Sequence, residues 1–506
     1  MTIAFENVLY LSGATGATTK RTPAAMGSDI INVKSFGAIG DGSHDDTTNI
    51  QAAIDSLATV ARGEIFFPPG TYKITAALTY VADSNGHSII LRGVGNLSFL
   101  SGNFAGFIID RNMNPYHPTN GPDVIEKLHI QNSNAAGGCI RWSGCIGLSV
   151  RDCALGGFYG IMTGSTEVSS NGDQSIVISD CVMAGGAASG LGNGSIGIAT
   201  GGNCVIQACD IAGYDNAIRM WGVGGAVQGC RLEVNGIGIR CGIDHQGNNN
   251  FLSGLFVGGC SFESNGTAVD FEHGAGEALI SSSWILANNA ASLGSSFTGS
   301  ISGTTLTATG TPVGTIAVGQ TVTGTGVTAA TTITGLGTGT GGAGTYTVNN
   351  SQTVGSEGIV TRSNPQYGIN IRDNANGSFI ILVGLNPHSN FDQYAIYVGD
   401  GATTAPVNSQ GVVCLGCTAN NTTGLGAWRL PTKANSATFF QCVDTPNSAF
   451  VIPVYTFANL PSPAQDGMEY NISNSNTATW GATAAGGGTN HVKVRYNGTN
   501  WTVMGA

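Results

Sequence analysis

Two glutamates, Glu233 in CRLEVN and Glu263 in CSFESN, each stand three residues after a cysteine. If those cysteines mark one place in successive turns of a repeating structure, Cys230, Leu232, Cys260 and Phe262 face inward. Arg231, Glu233, Ser261 and Glu263 then face out, and the two carboxylates stack on neighbouring turns. Like charges one turn apart raise the pKa of one of them, which produces the acid and base that cleavage of a glycosidic bond requires. Carboxyl separations of about 5 Å suit a retaining course and about 6.5–9.5 Å an inverting one; side-chain splay reaches either. The aligned positions of other turns are Gly156, Ala184, Ala212, Ala287 and Asn420, so paired carboxylates occur only here.

The strands that follow supply a second outward column. Arg219, Arg240 and Asp270 align, Trp221 and Glu272 align one step on, and Asp244, His245 and His273 lie just beyond. Asp270 and Glu272 join the catalytic candidates. Arg219, Trp221, Arg240, Asp244, His245 and His273 are the candidate substrate contacts, because an aromatic stacks on a pyranose face while guanidinium forks hold hydroxyls or carboxylates. The arginines would attract an acidic glycan locally. The alternative is that these charges pair with one another on a solvated face. Arg372 and Asp373, on a later turn, are held in reserve. Asp41, Asp45 and Asp46 sit at a glycine turn and a helix start, where carboxylates accept free amide hydrogens, so they are assigned neither a metal nor chemistry. No cofactor is implied.

The elements that must position these residues are short. RDCAL, SDCVM, QACDI, QGCRL and GGCSF place Cys153, Cys181, Cys209, Cys230 and Cys260 in one local context, each followed by a small-residue or Asn-Gly turn and a second short strand. Repeats of about 20–30 residues with alternating strands and no helical period indicate stacked coils, a parallel β-helix, in which each coil sits about 4.8 Å above the last. The cysteines form an inward ladder of reduced thiols, continued by Trp284 and Cys417. Cys414 and Cys417 make a CxxC, but no second pair follows at zinc spacing, and on one strand they would face opposite sides.

One segment, Asp46 to Ala61, keeps helical spacing behind an Asp/Thr cap and is expected to cover the open N-terminal end of the coils. Between Phe297 and Glu357 the composition turns to Thr, Gly and Val, with Glu357 the only ionisable residue, which predicts a small strand-rich insertion. The expected division is an N-terminal segment over 1–29, coils with their cap over 30–296, the insertion over 297–357, coils again over 358–452, and a small β-rich module over 453–506.

Composition narrows the partners. The 506 residues carry 19 Lys and Arg against 30 Asp and Glu, a formal net charge of -11, which leaves no basic field for nucleic acid or an acidic membrane surface. The 78 glycines, about twice ordinary usage, lack the Gly-X-Y period of collagen, and the 41% hydrophobic content is enough for a large core. No run of eighteen apolar residues predicts membrane insertion, and MTIAFENVLYLSG lacks the pattern of a secretory signal, so assembly in a cytoplasm is expected.

INVKSFGAIGDGSHDDTTNIQAAID, followed by GEIFFPPGTYKI, closely resembles the opening of the pectate-lyase-like, right-handed parallel β-helix superfamily. The match covers about residues 30 to 75, and the cysteine-marked coils extend it more loosely to about 450. The Thr/Gly insertion and the tail FANLPSPAQDGMEYNIS with VRYNGTNWTVMG look like modules of bacteriophage tailspike and tail-fibre proteins. The resemblance implies an all-β, right-handed β-helix in a homotrimeric tailspike. Such a spike is carried on the virion tail with phage tail or baseplate proteins as partners, is made in the bacterial host cytoplasm, and binds and often cleaves a bacterial surface polysaccharide: capsule, exopolysaccharide or lipopolysaccharide. MTIAFENVLYLSGATG is short for a large virion-attachment domain, so the docking part is expected to be minimal, cut away or supplied by another chain. The NTD, DD and RIK signatures of polygalacturonases are absent, so plant pectin is not the expected substrate. Hydrolysis through paired carboxylates is the leading expectation. A spike that grips a glycan without cutting it, or a polysaccharide lyase, is the alternative.

Overall fold

The structure, a computed structural model, describes residues 30–506 except 58–61, 81–87, 113–121, 144–145, 164–173, 186–193, 245–246, 248, 273–276, 287–292, 329–330, 363–366, 373–378, 389–390, 392–393, 399–410, 420–425, 430–436, 441, 445–448, 451–453 and 463. Expectations resting on the 1–29 segment, His245, His273, Ala287, Asp373 and Asn420 lie outside the described residues. The fold is a parallel β-helix with one α-helix among the described residues. Two compact units divide it, Met1–Ala188 with Asn203–Cys209, and Ser189–Gly202 with Asp210–Ala506.

In the first unit the helical pattern forms a helix over Thr47–Asp55, shorter than the expected 46–61, with Ile50, Ala53 and Ile54 buried. Ser56 sets its end: its hydroxyl donates to the Ala53 carbonyl at 2.7 Å, and Leu57 N–H closes a tight turn on Ile54. At its start the Asp46 carboxylate accepts the Ile39 and Gly40 N–H groups at 2.7 and 3.0 Å, while Asp45 caps Thr47 N–H at 3.1 Å. Asp41 accepts from Ser43 and His44. All three carboxylates serve turns and the helix start.

Beyond the helix, Ile146–Arg151, Gln174–Ser179 and Cys204–Gln207 stack in parallel with Val150, Ile178 and Ile206 in one fully buried column. Each strand ends at a sharp corner. Asp152, Asp180 and Ala208 adopt left-handed φ of 55°, 54° and 51°, a conformation that costs a non-glycine residue about 1–2 kcal/mol. The Ser179 and Gln207 carbonyls before the corner keep backbone partners, since Asp152 and Asp180 N–H donate to them at 3.2 Å. The residue after the corner adds a donor: the thiols of Cys153, Cys181 and Cys209 donate to Arg151, Ser179 and Gln207 carbonyls at 3.3, 3.2 and 3.3 Å. Cysteine suits the place because it is small, apolar and a weak donor.

The second unit repeats the corner. Gly229, Gly259, Ser282, Gly384 and Gly416, all with φ between 49° and 63°, precede Cys230, Cys260, Ser283, Leu385 and Cys417. One expectation is corrected here. The inward position after Cys260 belongs to Ser283, whose hydroxyl donates to Ser281 O at 3.0 Å as the thiols do elsewhere, and Trp284 points out, 44% exposed. The residue aligned with the glutamates in that coil is therefore Leu286, not Ala287. The CxxC argument is corrected too. The Gly416 corner lies between Cys414 and Cys417, so both thiols turn inside and are fully buried. All eleven described cysteines are free and buried.

Three parallel ladders make each coil of this unit, and they run on across the insertion, since Thr267–Phe271 pairs directly with Tyr367–Ile371. The intervening chain forms a long antiparallel pair, Leu293–Gly314 with Gly344–Arg362, closing over Phe297, Leu306, Tyr346 and Ile359. Near the C-terminus, Glu469–Ser475, Asn490–Tyr496 and Trp501–Gly505 form an antiparallel sheet around Tyr455, Ile472, Val494 and Trp501. No helix among the described residues is long and apolar enough to cross a membrane.

Candidate functional site

Three-residue strands carry the glutamates. Asp210–Ala212, Arg231–Glu233, Ser261–Glu263, Trp284–Leu286 and Asn386–His388 pair in parallel, with Ile211, Leu232, Phe262, Ile285 and Pro387 as the inward column. Each buried Leu or Phe contributes about 1.5–3 kcal/mol, which anchors the flanking residues outward. A second corner closes both glutamate strands: Val234 and Ser264 have φ of 56° and 59°. Behind it, buried asparagines lock the turn. Asn265 accepts from Asn235 N–H at 3.0 Å and donates to Leu232 O at 2.8 Å, while Asn235 donates to Ile211 O at 3.0 Å. Glu233 and Glu263 are thus held between two fixed corners.

The register sets Glu233 directly against Glu263 on neighbouring coils, both half-buried, about 4.8 Å apart at the backbone. Arg231, 52% exposed at its side chain, reaches Asp210 at 3.2 Å and forms an ion pair with Glu233. The Asp210 and then the Glu233 carboxylate hold this guanidinium above its ordinary pKa, with Glu263 adding to the effect. Ala212 and Leu286 occupy the same column on the adjoining coils.

The second predicted column lies on a different ladder, around the corner at Val234. Arg219, Arg240, Asp270 and Asn370 are in register there. Asp270 was expected to face a groove; it is 1% exposed. Arg372 grips both its oxygens, at 2.9 and 2.5 Å, and Asn370 donates to it at 3.0 Å across 100 residues of sequence. Burial pushes the Asp270 carboxyl up from its ordinary pKa, and the Arg372 fork opposes that. Glu272 bonds Arg240 at 2.6 Å and Arg372 at 3.1 Å, so two carboxylates and two guanidiniums form one closed, charge-balanced network. Arg219 is 9% exposed.

Trp221 also departs from expectation. Its indole lies against Gly201 of the preceding coil, where an added Cβ would meet Nε1 at 2.3 Å, and only 8% of the residue is exposed. It fills a glycine gap and offers no open stacking face. Asp244 is half-buried in a turn closed by Gly247 N–H on its carbonyl at 3.0 Å. The structure therefore brings Glu233 and Glu263 together, and separately Arg240, Asp270 and Glu272. Sequence reasoning missed Asp210 and Trp284, which share the face of the glutamates. The signal for Trp284 was the serine before it, standing where other coils have cysteine.

Residues 30–240 match the family model described as rhamnogalacturonase A/epimerase, pectate lyase-like, well beyond the stretch that carried the resemblance. Mannuronan C5-epimerase AlgE6 of Azotobacter vinelandii is 52% identical over 46 residues, 9% of this chain and 5% of that relative. The chain thus spans a small fraction of the length of the curated relative it matches. Among solved structures, ORF18 of Geobacillus virus E2 aligns over 96% of this chain and 80% of its own at 15% identity and a TM-score of 0.38. The catalytic unit of the GH87 alpha-1,3-glucanase from Streptomyces thermodiastaticus aligns over 86% and 69% at 12% identity and a TM-score of 0.44.

Proposed function

We propose that the chain is a phage tailspike that binds a bacterial surface polysaccharide and hydrolyses its glycosidic bonds between Glu233 and Glu263. The observation that carries this is their in-register stacking on neighbouring coils at an outward, partly exposed face. The pectate-lyase-like match over residues 30–240 supports a polysaccharide as ligand, and the tailspike-like insertion and tail support the virion setting, a homotrimer and tail or baseplate partners. Glu233, ion-paired with Arg231, is assigned the role of nucleophile or base, and Glu263 that of general acid to the leaving oxygen.

Incubating the full chain with purified capsular or lipopolysaccharide glycans tests the proposal: new reducing ends must appear, and Glu233→Gln must abolish them. Glu263→Gln must lose activity on the natural bond while retaining it on an aryl glycoside whose leaving group needs no proton. Wild-type release from both variants would remove the site. The Arg231 ion pair on Glu233 favours a second reading, a spike that grips the glycan uncut, which saturable binding without any change in polymer size would establish. Unsaturated products absorbing in the near ultraviolet would instead mark a lyase.

A further inference from the structure

The glutamates share their face with a second outward column, whose composition indicates what the face holds. This inference rests on the functional reading above and deepens it. Two residues before the glutamate position, Asp210, Arg231, Ser261, Trp284 and Asn386 stand in unbroken register over five coils. Trp284 is 44% exposed. Its backbone lies one coil and two residues from Glu263, a diagonal of about 8 Å from the spacings of a parallel sheet. A sugar ring stacked on the indole would therefore have its neighbour in the chain within reach of the carboxylates.

The charge of the face is lopsided. Three carboxylates, Asp210, Glu233 and Glu263, meet one guanidinium, Arg231, and that one is already engaged by Asp210 and Glu233. A polyuronate would bring a further carboxylate on every sugar to a face whose described residues hold no further Lys or Arg to receive it, and like charges at these distances repel. An indole, by contrast, stacks on the C–H face of an uncharged pyranose.

We infer that the Glu233/Glu263 face takes a polymer of neutral hexopyranoses, with Trp284 stacking a sugar beside the scissile bond, and that it rejects uronate polymers. Trp284 is a specificity residue, outside the proton chemistry.

The test is an array of purified bacterial surface polysaccharides, neutral and uronate-bearing, probed at physiological salt with the fluorescently labelled full chain and its Trp284→Ala, Trp284→Phe and Glu233→Gln variants. The bound polymers are expected to be neutral; Trp284→Ala weakens their binding about tenfold or more, and Trp284→Phe restores most of it. Glu233→Gln, which removes one of the three carboxylates, is expected to relax the discrimination against uronate polymers. Preferential binding of uronate polymers, binding of no polymer, or Trp284→Ala binding as wild type overturns the inference. Sugar release combined with Trp284-independent binding sinks it while leaving hydrolysis standing. Trp284-dependent binding without release sinks hydrolysis and upholds it.

Discussion

Two charged regions of the second unit grow from the same coil geometry and end in opposite states. On one ladder, Glu233 and Glu263 stand half-exposed beside a single guanidinium. On the other, Asp270 and Glu272 are closed by Arg240 and Arg372, with Asp270 1% exposed. Register stacks carboxylates in both, so register alone does not make a reactive site. What separates them is charge balance and cover. A carboxylate held in a guanidinium fork and 1% exposed has no surface for a substrate to reach, whereas an unbalanced and open pair does.

The sharpest way to break this comparison is to neutralise each region in turn. Glu233→Gln should lower glycan release about 10²–10⁴-fold while the thermal midpoint stays within about 2 °C, as for other partly exposed positions. Release assays with a parallel melting curve check it. If the paired network were the active one, the two outcomes would trade places.

Asp270→Ala should do the reverse. Arg372, 39% exposed, keeps Glu272, so losing its charge-assisted bonds to Asp270 costs about 1.5–3 kcal/mol, read as a fall in the denaturation midpoint, while the release rate per folded molecule is unchanged. Replacing both residues, Asp270→Asn with Arg372→Met, should recover much of the loss.

A carboxylate held between two guanidiniums in the first unit extends the contrast to pH. Burial would raise the Glu126 carboxyl, but the hydrogen bonds of Arg151 and Arg92, both at 2.5 Å, outweigh it and hold the pKa below the ordinary value. A depressed folded pKa gives stability that is present above the unfolded value, about 4.3, and is lost as pH falls through the folded one. Glu126→Gln should therefore lower the melting point at pH 7 by the equivalent of about 1–2 kcal/mol and flatten its decline on acidification. Equal acid sensitivity in the variant would contradict the assignment.

The smallest effect belongs to the corner behind Glu233. Val234 holds φ at 56°, a conformation glycine adopts without strain. Val234→Gly should raise stability by up to about 1 kcal/mol after the entropy glycine adds to the unfolded chain. If calorimetry shows a loss, the corner is held by the valine side chain rather than tolerated despite it.

The stacking of Glu233 on Glu263 was legible because thiols recur at one place in each coil and the side-chain period of a strand is two. The same rule failed at Trp284, where Ser283 does the work of a cysteine and removes the mark. It failed again at Cys414 and Cys417, because a left-handed glycine between them cancels the alternation. Trp221 and Asp270 were read correctly as off the inward column, but outward did not mean exposed: a glycine in one neighbouring coil and an arginine 102 residues away cover them.

The chain by itself determined the coil repeat, the capping helix, the insertion and the place of the paired glutamates, since local period and turn chemistry specify which way a strand residue points. Which carboxylates remain open was decided only by the tertiary fold. Arg372 reaches Asp270 across the whole insertion, and pairing over that separation depends on how distant coils stack, which no local pattern encodes.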